Sequence, residues 1–111
     1  MDPLPKPPDT FLEFTRRYPQ LAEAWRLAGE AGRGGPLDGR TGRLVKLAVS
    51  VGAMREGAVH SAVRKALASG ATREEIEQVI ALAASTIGFP AAVAVFSWVR
   101  DVLDRGEPLS D

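Results

Sequence analysis

The chain has 111 residues, of which 45% are hydrophobic and 25% charged, which is enough for one small globular domain. Its 14 basic and 14 acidic residues balance, so no excess charge favours nucleic acid or a membrane surface as a partner. The sequence contains no cysteine and one histidine, His60. Disulfides, thiolate nucleophiles and a multi-histidine metal site within one subunit are thereby excluded. We expect no metal and no cofactor, and a cytoplasmic location.

The two ends of the chain differ in composition from the middle. Residues 1–9 hold four of the eight prolines and predict an extended arm, without the apolar segment of a signal peptide. Residues 107–111 predict a polar tail. We therefore predict that residues 10–106 form the folded domain.

The first half of this domain predicts two helices and a loop. Asp9 or Thr10 can cap a helix that runs to about Arg17, and Pro19 suits the first turn of a second helix that ends near Ala31. Residues 32–42 contain five glycines and one proline and predict a loop. One stripe of the second helix carries its apolar side chains: Leu21, Ala24, Trp25 and Ala28.

Two more helices follow, with a short break at residues 52–54. Thr41 is the predicted cap of the third helix, residues 42–53, and Gly70 the predicted stop of the fourth, residues 55–69. The positions expected to face the core are Leu44, Leu47, Ala48 and Val51 in the third helix and Val59, Ala62, Val63, Ala66 and Leu67 in the fourth.

The last third of the chain predicts a fifth and a sixth helix. Thr72 and Glu75 have the spacing of a capping box, and Pro90 begins the final helix, which ends near Asp104. Ile76, Val79, Ile80 and Ala83 form the apolar stripe of the fifth helix. No stretch alternates with period two, so the sequence predicts an all-α fold of five or six helices.

The run from residue 79 to residue 99 is rich in alanine and carries no charge. It is long enough to span a bilayer, but Gly88 and Pro90 interrupt it. We therefore expect two half-length helices buried in a core or at a subunit interface, and hence a homo-oligomer.

Three segments carry a resemblance to a known family: residues 41–50, the Gly-Ala-Thr turn and capping box within residues 64–76, and the Gly-Phe-Pro break within residues 87–92. In this order and spacing they resemble the carboxymuconolactone decarboxylase and alkylhydroperoxidase D family. The resemblance implies an all-helical fold and assembly as a trimer or hexamer.

Many members of that family use a Cys-x-x-Cys pair, a histidine and a glutamate for redox chemistry. By the resemblance, these four positions correspond here to Arg55, Ala58, Ala62 and Arg43. None of the four matches, and a thiolate relay cannot operate without thiols. Thiol peroxidase activity is therefore not expected. The segment from residue 56 to residue 61 instead resembles cysteine-free members, and the decarboxylase branch implies proton transfer on a lactone acid.

Glu56 and His60 are the candidate catalytic pair. They lie four residues apart on one predicted helix, so their side chains share a face, and a carboxylate there could orient the imidazole for acid–base chemistry. The alternative is a partly buried histidine bonded to Glu56 at a subunit interface.

Arg43 and Lys46 are the candidate substrate-binding residues. With Ser50 they share the face of the third helix opposite its apolar residues, and the resemblance implies that this face lines a pocket. Two cations could bind a carboxylate there, or the face could be solvated. Four large residues are expected in the core or an interface rather than in a cofactor site: Trp25, Met54, Phe89 and Trp98.

Two functional hypotheses remain. The first is a lyase-like enzyme that acts on a small carboxylate by acid–base chemistry, such as decarboxylation or lactone conversion, without thiol or metal. The second is a non-catalytic oligomeric relative that binds a small molecule or has only a structural role.

Overall fold

The computed structural model describes residues 9–105, and within that range the chain forms six α-helices and no strand. This confirms the all-α prediction. The predicted tail and all but the last residue of the predicted arm lie outside the described residues. The helices are α1 (Asp9–Arg17), α2 (Pro19–Ala31), α3 (Gly39–Gly52), α4 (Glu56–Ala68), α5 (Arg73–Ile87) and α6 (Phe89–Leu103).

These helices divide into two compact units, residues 9–38 and residues 39–105. In the first unit, the ring of Phe11 meets the ring of Trp25 edge-on, with 6.2 Å between centroids. Neither α1 nor α2 contains a buried residue, and the whole apolar stripe of α2 is exposed. Two short helices cannot enclose a core between them, because each covers only one side of the other.

The second unit has the hydrophobic core. Its centre is the apolar stripe of α4, which packs against α3 on one side and α6 on the other. Most predicted core positions are buried or half-buried, but Ala48 is exposed, so that prediction was wrong. Trp98 packs against the core, whereas Trp25, Met54 and Phe89 are exposed in the single chain. The buried residues of α3 and α4 are Leu47, Val51, Val59, Val63 and Ala66.

The turn between α3 and α4 determines where α4 begins, and α4 carries the candidate pair Glu56 and His60. Met54 has a left-handed backbone with φ of 55°, and its N–H donates to the carbonyl of Val51 at 3.0 Å. This closes α3 and reverses the chain, so that α4 starts at Glu56, directly after Arg55. At its other end, α3 starts at Gly39 rather than Gly42, directly after Asp38, and the predicted cap Thr41 lies inside the first turn.

Helix α4 ends two residues before Gly70, the residue predicted to stop it. Gly70 has a φ of 96°, which an L side chain rarely adopts. The N–H of Ala71 donates to the carbonyl of Ala66 at 3.0 Å, and that of Gly70 to the carbonyl of Leu67 at 3.1 Å. These two bonds are a Schellman motif, and they bring Ala71 into the core.

The start of α5 and the junction between α5 and α6 also form as the sequence predicts. The N–H of Glu75 donates to the Thr72 hydroxyl at 3.1 Å, and the N–H of Thr72 donates to the Glu75 carboxylate at 2.9 Å. The capping box is therefore complete. Gly88, with a φ of 94°, separates α5 from α6 and places Pro90 in the first turn of α6. None of the described helices combines the length and the hydropathy that a membrane span needs.

We expect Thr72→Ala to lower the free energy of unfolding by about 1 kcal/mol, because the substitution removes the hydroxyl that accepts the hydrogen bond from the Glu75 N–H. Urea denaturation measures the difference. Thr86→Ala, at an exposed threonine in the last turn of α5, is the control and should leave the midpoint nearly unchanged. Equal midpoints for the two variants would contradict the role of the cap.

Candidate functional site

The predicted pair of Glu56 and His60 is formed in the first turns of α4. The Oε2 atom of Glu56 lies 3.8 Å from Nε2 of His60, which is too long for a hydrogen bond. The His60 side chain is 26% exposed and that of Glu56 55% exposed. Nε2 itself is shielded from solvent and has no hydrogen-bond partner among residues 9–105. The imidazole therefore keeps one sheltered nitrogen free beside a carboxylate.

Asp101 joins this pair from α6. One ligand atom from each of Glu56, His60 and Asp101 lies within 4.8 Å of the other two. Sequence reasoning missed Asp101 because nothing in the spacing of residues links it to His60. Only the packing of α4 on α6 brings them together. An imidazole and two carboxylates can exchange a proton, and the same donor set could hold a divalent cation.

An open groove of about 380 Å³ runs along the outer face of α6 beside this cluster. Asp101 belongs to both features, so the groove borders the cluster. Two of its residues are held by ion pairs, since Arg100 contacts Asp104 at 3.1 Å and Asp104 also contacts Arg73 at 2.6 Å. The groove is lined by Ser97, Arg100, Asp101, Asp104 and Arg105.

The predicted substrate-binding residues, Arg43 and Lys46, lie elsewhere on the same four helices. Both are near the ammonium group of Lys65 on α4. Arg43 and Ser50 are half-buried, so this part of α3 lies at the edge of the core rather than on the opposite face. The hydroxyl of Ser50 is not free to bind a ligand beside Arg43 and Lys46, because its Oγ donates to the carbonyl of Leu47 at 2.8 Å.

Lys65 is half-buried, and burial lowers the pKa of its ammonium group below the ordinary value of 10.5. Three neighbouring cations lower that pKa further: Arg43, Lys46 and Arg64. We call these three residues together with Lys65 the cationic group. No member of the group forms an ion pair with any of residues 9–105, although Arg40, one turn earlier on α3, pairs with Glu75.

Apart from Arg64, which lies one turn after His60, the cationic group and the Glu56–His60–Asp101 cluster occupy different flanks of α4. His60 and Lys65 are five residues apart, which separates them by about 140° around the helix axis and about 7.5 Å along it. The buried stripe that contains Val59 and Val63 runs between them. The α6-facing flank thus carries the acids and the imidazole, and the α3-facing flank carries the cations.

Comparison with known proteins decides the family. The model of the carboxymuconolactone decarboxylase family matches residues 19–101, which is well over half of the chain. The chain belongs to the carboxymuconolactone decarboxylase family. No curated protein matches the sequence.

The fold of this family member is also found in a solved structure. The chain is similar to apo-lpg0406, a carboxymuconolactone decarboxylase family protein from Legionella pneumophila, with a TM-score of 0.77 and 21% identity. The match covers 89% of this chain and 88% of that one. At this identity, the likeness shows a shared fold.

Within the carboxymuconolactone decarboxylase fold, we can now place the four positions that correspond to the redox residues of thiol-bearing relatives. Arg55 and Ala58 are exposed, and Ala62 and Arg43 are half-buried. Ala58 and Ala62 are one turn apart on α4, and helix geometry puts them on the flank that carries Lys65. By the resemblance, one cysteine position and the histidine position of thiol-bearing relatives are therefore on the cationic flank, away from His60.

We expect Lys65→Met to raise the free energy of unfolding at pH 7 by about 0.5 kcal/mol, because it keeps the aliphatic stem and removes repulsion between like charges. Since the fold lowers the pKa of Lys65, the cost of its charge is fully present below that pKa. The cost disappears as pH rises from the lowered pKa towards 10.5.

Urea denaturation between pH 7 and 10.5, in a buffer free of multivalent anions, measures this effect. The advantage of Lys65→Met over the unmodified protein should shrink as pH rises. Arg16→Met is the control, because it removes one exposed positive charge from α1, outside the cationic group. An advantage that stays constant across the whole range would contradict the assignment.

Proposed function

We propose that this protein catalyses proton transfer on a small organic acid, in a decarboxylation or a lactone conversion, with His60 as the group that moves the proton. The observation that carries the proposal is the sheltered Nε2 of His60, which has no hydrogen-bond partner in residues 9–105 and lies 3.8 Å from the Glu56 carboxylate, with Asp101 in the same cluster. A nitrogen bonded within the protein would be occupied, whereas this one is left for a substrate.

The two carboxylates have distinct tasks in this proposal. Glu56 lies 3.8 Å from Nε2, close enough to stabilise the imidazolium that forms when His60 takes a proton and too far to block the nitrogen. Asp101 adds a second negative charge from α6 and borders the groove through which an acid would enter. The chain carries no cysteine, so the chemistry involves no thiol of its own.

The substrate's carboxylate needs a cation, and Arg43 and Lys46 were predicted for that role. Both belong to the cationic group, on the flank of α4 away from His60. Arg64 lies between the two flanks, one turn after His60, and forms no ion pair with any other described residue. In this proposal Arg64 is the cation nearest to the proton-transfer step, and Arg43 and Lys46 extend the positive field towards α3.

We expect His60→Gln to lower the rate of proton transfer by about 100-fold or more, because glutamine keeps the polarity and cannot take the proton. The rate is measured by NMR as deuterium exchange or loss of carbon dioxide in a panel of small acids that includes carboxymuconolactone. Glu56→Gln and Asp101→Asn should lower it less.

The matched control is Glu74→Gln, an exposed carboxylate in the first turn of α5, which should leave the rate unchanged. Retention of the full rate in His60→Gln would refute the role of His60. A protein that binds an acid of the panel without exchanging or decarboxylating it would support the second hypothesis instead.

That second hypothesis, a non-catalytic relative, is favoured by one specific observation. All four positions at which thiol-bearing relatives carry reactive residues are replaced, at Arg43, Arg55, Ala58 and Ala62. In this case the fold would serve to bind a small molecule or to assemble. Identical binding of an acid by the unmodified protein and by His60→Gln, with turnover in neither, would establish it.

We also propose that the protein forms a homo-oligomer, a trimer or hexamer, in the cytoplasm. The α5–α6 region supports self-association, because Leu82 is 69% exposed and Phe89 76% exposed in the single chain, and Val93 lies one turn after Phe89. Exposed apolar side chains of this size favour burial against another surface. The cysteine-free composition suits a reducing compartment.

We expect Phe89→Glu to shift the protein towards the monomer in light scattering after size-exclusion chromatography, because a charge would enter the proposed interface. A glutamate in the first turn of a helix suits the helix dipole, so α6 itself should stay folded. Leu37→Glu, outside the α5–α6 region, is the control and should keep the assembly. A monomeric unmodified protein at micromolar concentration would refute self-association.

A further inference from the structure

We propose that Glu56, His60 and Asp101 bind one divalent transition-metal ion, such as Zn²⁺, between α4 and α6. The inference goes beyond the proposed function, because it holds whether or not His60 transfers a proton. The expectation of no metal rested on the count of one histidine and no cysteine. That count left out the carboxylates that the packing of helices brings to the histidine.

The first argument is the distance between the three side chains. One ligand atom from each residue lies within 4.8 Å of the other two, and Oε2 of Glu56 is 3.8 Å from Nε2 of His60. Zinc binds nitrogen and oxygen atoms at about 2.0–2.2 Å, so two ligand atoms of one ion are at most about 4.4 Å apart. The Glu56–His60 distance is within that limit. Small rotations of the exposed carboxylates of Glu56 and Asp101 bring the remaining distances within it.

The second argument is the state of the imidazole. Nε2 of His60 is shielded from solvent and has no hydrogen-bond partner among residues 9–105. A buried polar atom normally has such a partner, because the loss of its contact with water is otherwise uncompensated. A metal ion bound to Nε2 compensates that loss, and imidazole is the commonest metal ligand in proteins. The shielded nitrogen therefore distinguishes this cluster from an ordinary group of surface acids.

The third argument is that no lysine or arginine neutralises the two carboxylates. Among residues 9–105, the one ion pair of Glu56 is with His60, and Asp101 forms none. By contrast, Asp104, one turn later on α6, pairs with Arg100. Two negative charges at this separation repel each other. A divalent cation between them removes the repulsion and balances both charges.

The fourth argument is the origin of the ligands. Glu56 and His60 are four residues apart on α4, a spacing at which two helical side chains can reach one ion. Asp101 comes from α6, which packs against α4. Metal sites in helical bundles are built from side chains on facing helices in this way. The proposed site thus depends on the packing of two helices and not on α4 alone.

The donor set indicates the class of ion. An imidazole nitrogen favours Zn²⁺, Co²⁺ or Ni²⁺, whereas Mg²⁺ and Ca²⁺ prefer oxygen ligands alone. Three protein ligands leave at least one coordination position of zinc for water or another small molecule. The site therefore takes a transition-metal ion in preference to the more abundant alkaline-earth ions.

Metal binding and proton transfer by His60 exclude each other, because both use the lone pair of Nε2. The metal-bound protein is a second state of the site, in which His60 does not act as a base. An ion that fills the site should therefore inhibit the proton transfer described under the proposed function.

Isothermal titration calorimetry on the untagged full chain, after removal of metals with a chelator, tests the proposal with Zn²⁺, Co²⁺, Mg²⁺ and Ca²⁺. We expect one Zn²⁺ per chain to bind about 100 times more tightly than Mg²⁺ or Ca²⁺. Bound Co²⁺ should give visible absorption bands that differ from those of the aqueous ion. Failure of both Zn²⁺ and Co²⁺ to bind in the micromolar range would overturn the proposal, as would equal binding of Mg²⁺.

Variants locate the ion. His60→Gln and Asp101→Asn should each weaken Zn²⁺ binding by about 100-fold or more, because loss of a ligand costs at least as much as loss of a side chain that supports one. The matched control is Glu74→Gln, which removes one exposed carboxylate from α5 and should leave the affinity unchanged. Circular dichroism shows whether each variant is folded. Unchanged affinity in folded Asp101→Asn would overturn the site, because α4 alone would then hold the ion.

The proton-transfer assay distinguishes failure of this inference from failure of the proposed function. Turnover by the metal-free protein that is lost on addition of one equivalent of Zn²⁺ supports both. Binding of Zn²⁺ at the three residues without turnover in either state refutes only the proposed function, and turnover without Zn²⁺ binding refutes only the metal site. A rate that rises with bound Zn²⁺ would support the site and refute His60 as the base.

Discussion

The burial of one stripe of α4 is the constraint on which the rest of the structure depends. Val59, Val63 and Ala66 have no exposed surface, because α3 covers them from one side and α6 from the other. A helix held in this way has two flanks that remain at the edge of the core. Each flank meets a different neighbour, so each acquires a different chemical environment.

The charges of the unit follow this division. On the α6-facing flank, Glu56 and His60 meet Asp101, and a shielded imidazole nitrogen lies beside two carboxylates. On the α3-facing flank, Lys65 meets Arg43 and other cations. The net charge of the whole chain is zero, so neither group reflects a general excess of its own sign. Their composition is a local property of the packed helices.

The sequence predicted the features whose causes lie within a few residues. The capping box at Thr72 and the stops at Gly70 and Gly88 depend on local backbone bonds or on the φ of one residue, and all three were confirmed. The pairing of Glu56 with His60 needs only helical spacing. The start of α3 was misplaced because Asp38 and Thr41 are both residue types that cap helices, and spacing alone does not choose between them.

The features that sequence reasoning missed all join two helices. Asp101 is forty-one residues from His60, and Lys65 is nineteen residues from Lys46, so neither contact leaves a periodic signal. The stripe of α2 with Trp25 was recognised, but its exposure could not be, because periodicity shows which residues share a face and not what covers that face. Contacts of this kind require the packing of helices on one another.

This division of α4 bears on how members of one family can differ in chemistry on the same fold. By the resemblance, Ala58 corresponds to a cysteine and Ala62 to the histidine of thiol-bearing relatives, and both alanines fall on the α3-facing flank of α4. Under the proposed function, the reactive groups are on the other flank, around His60. The two flanks share one buried stripe, so side chains can be exchanged on either without disturbing the core. The fold is thus preserved by α4's inner face, while its outer flanks are free to differ in chemistry.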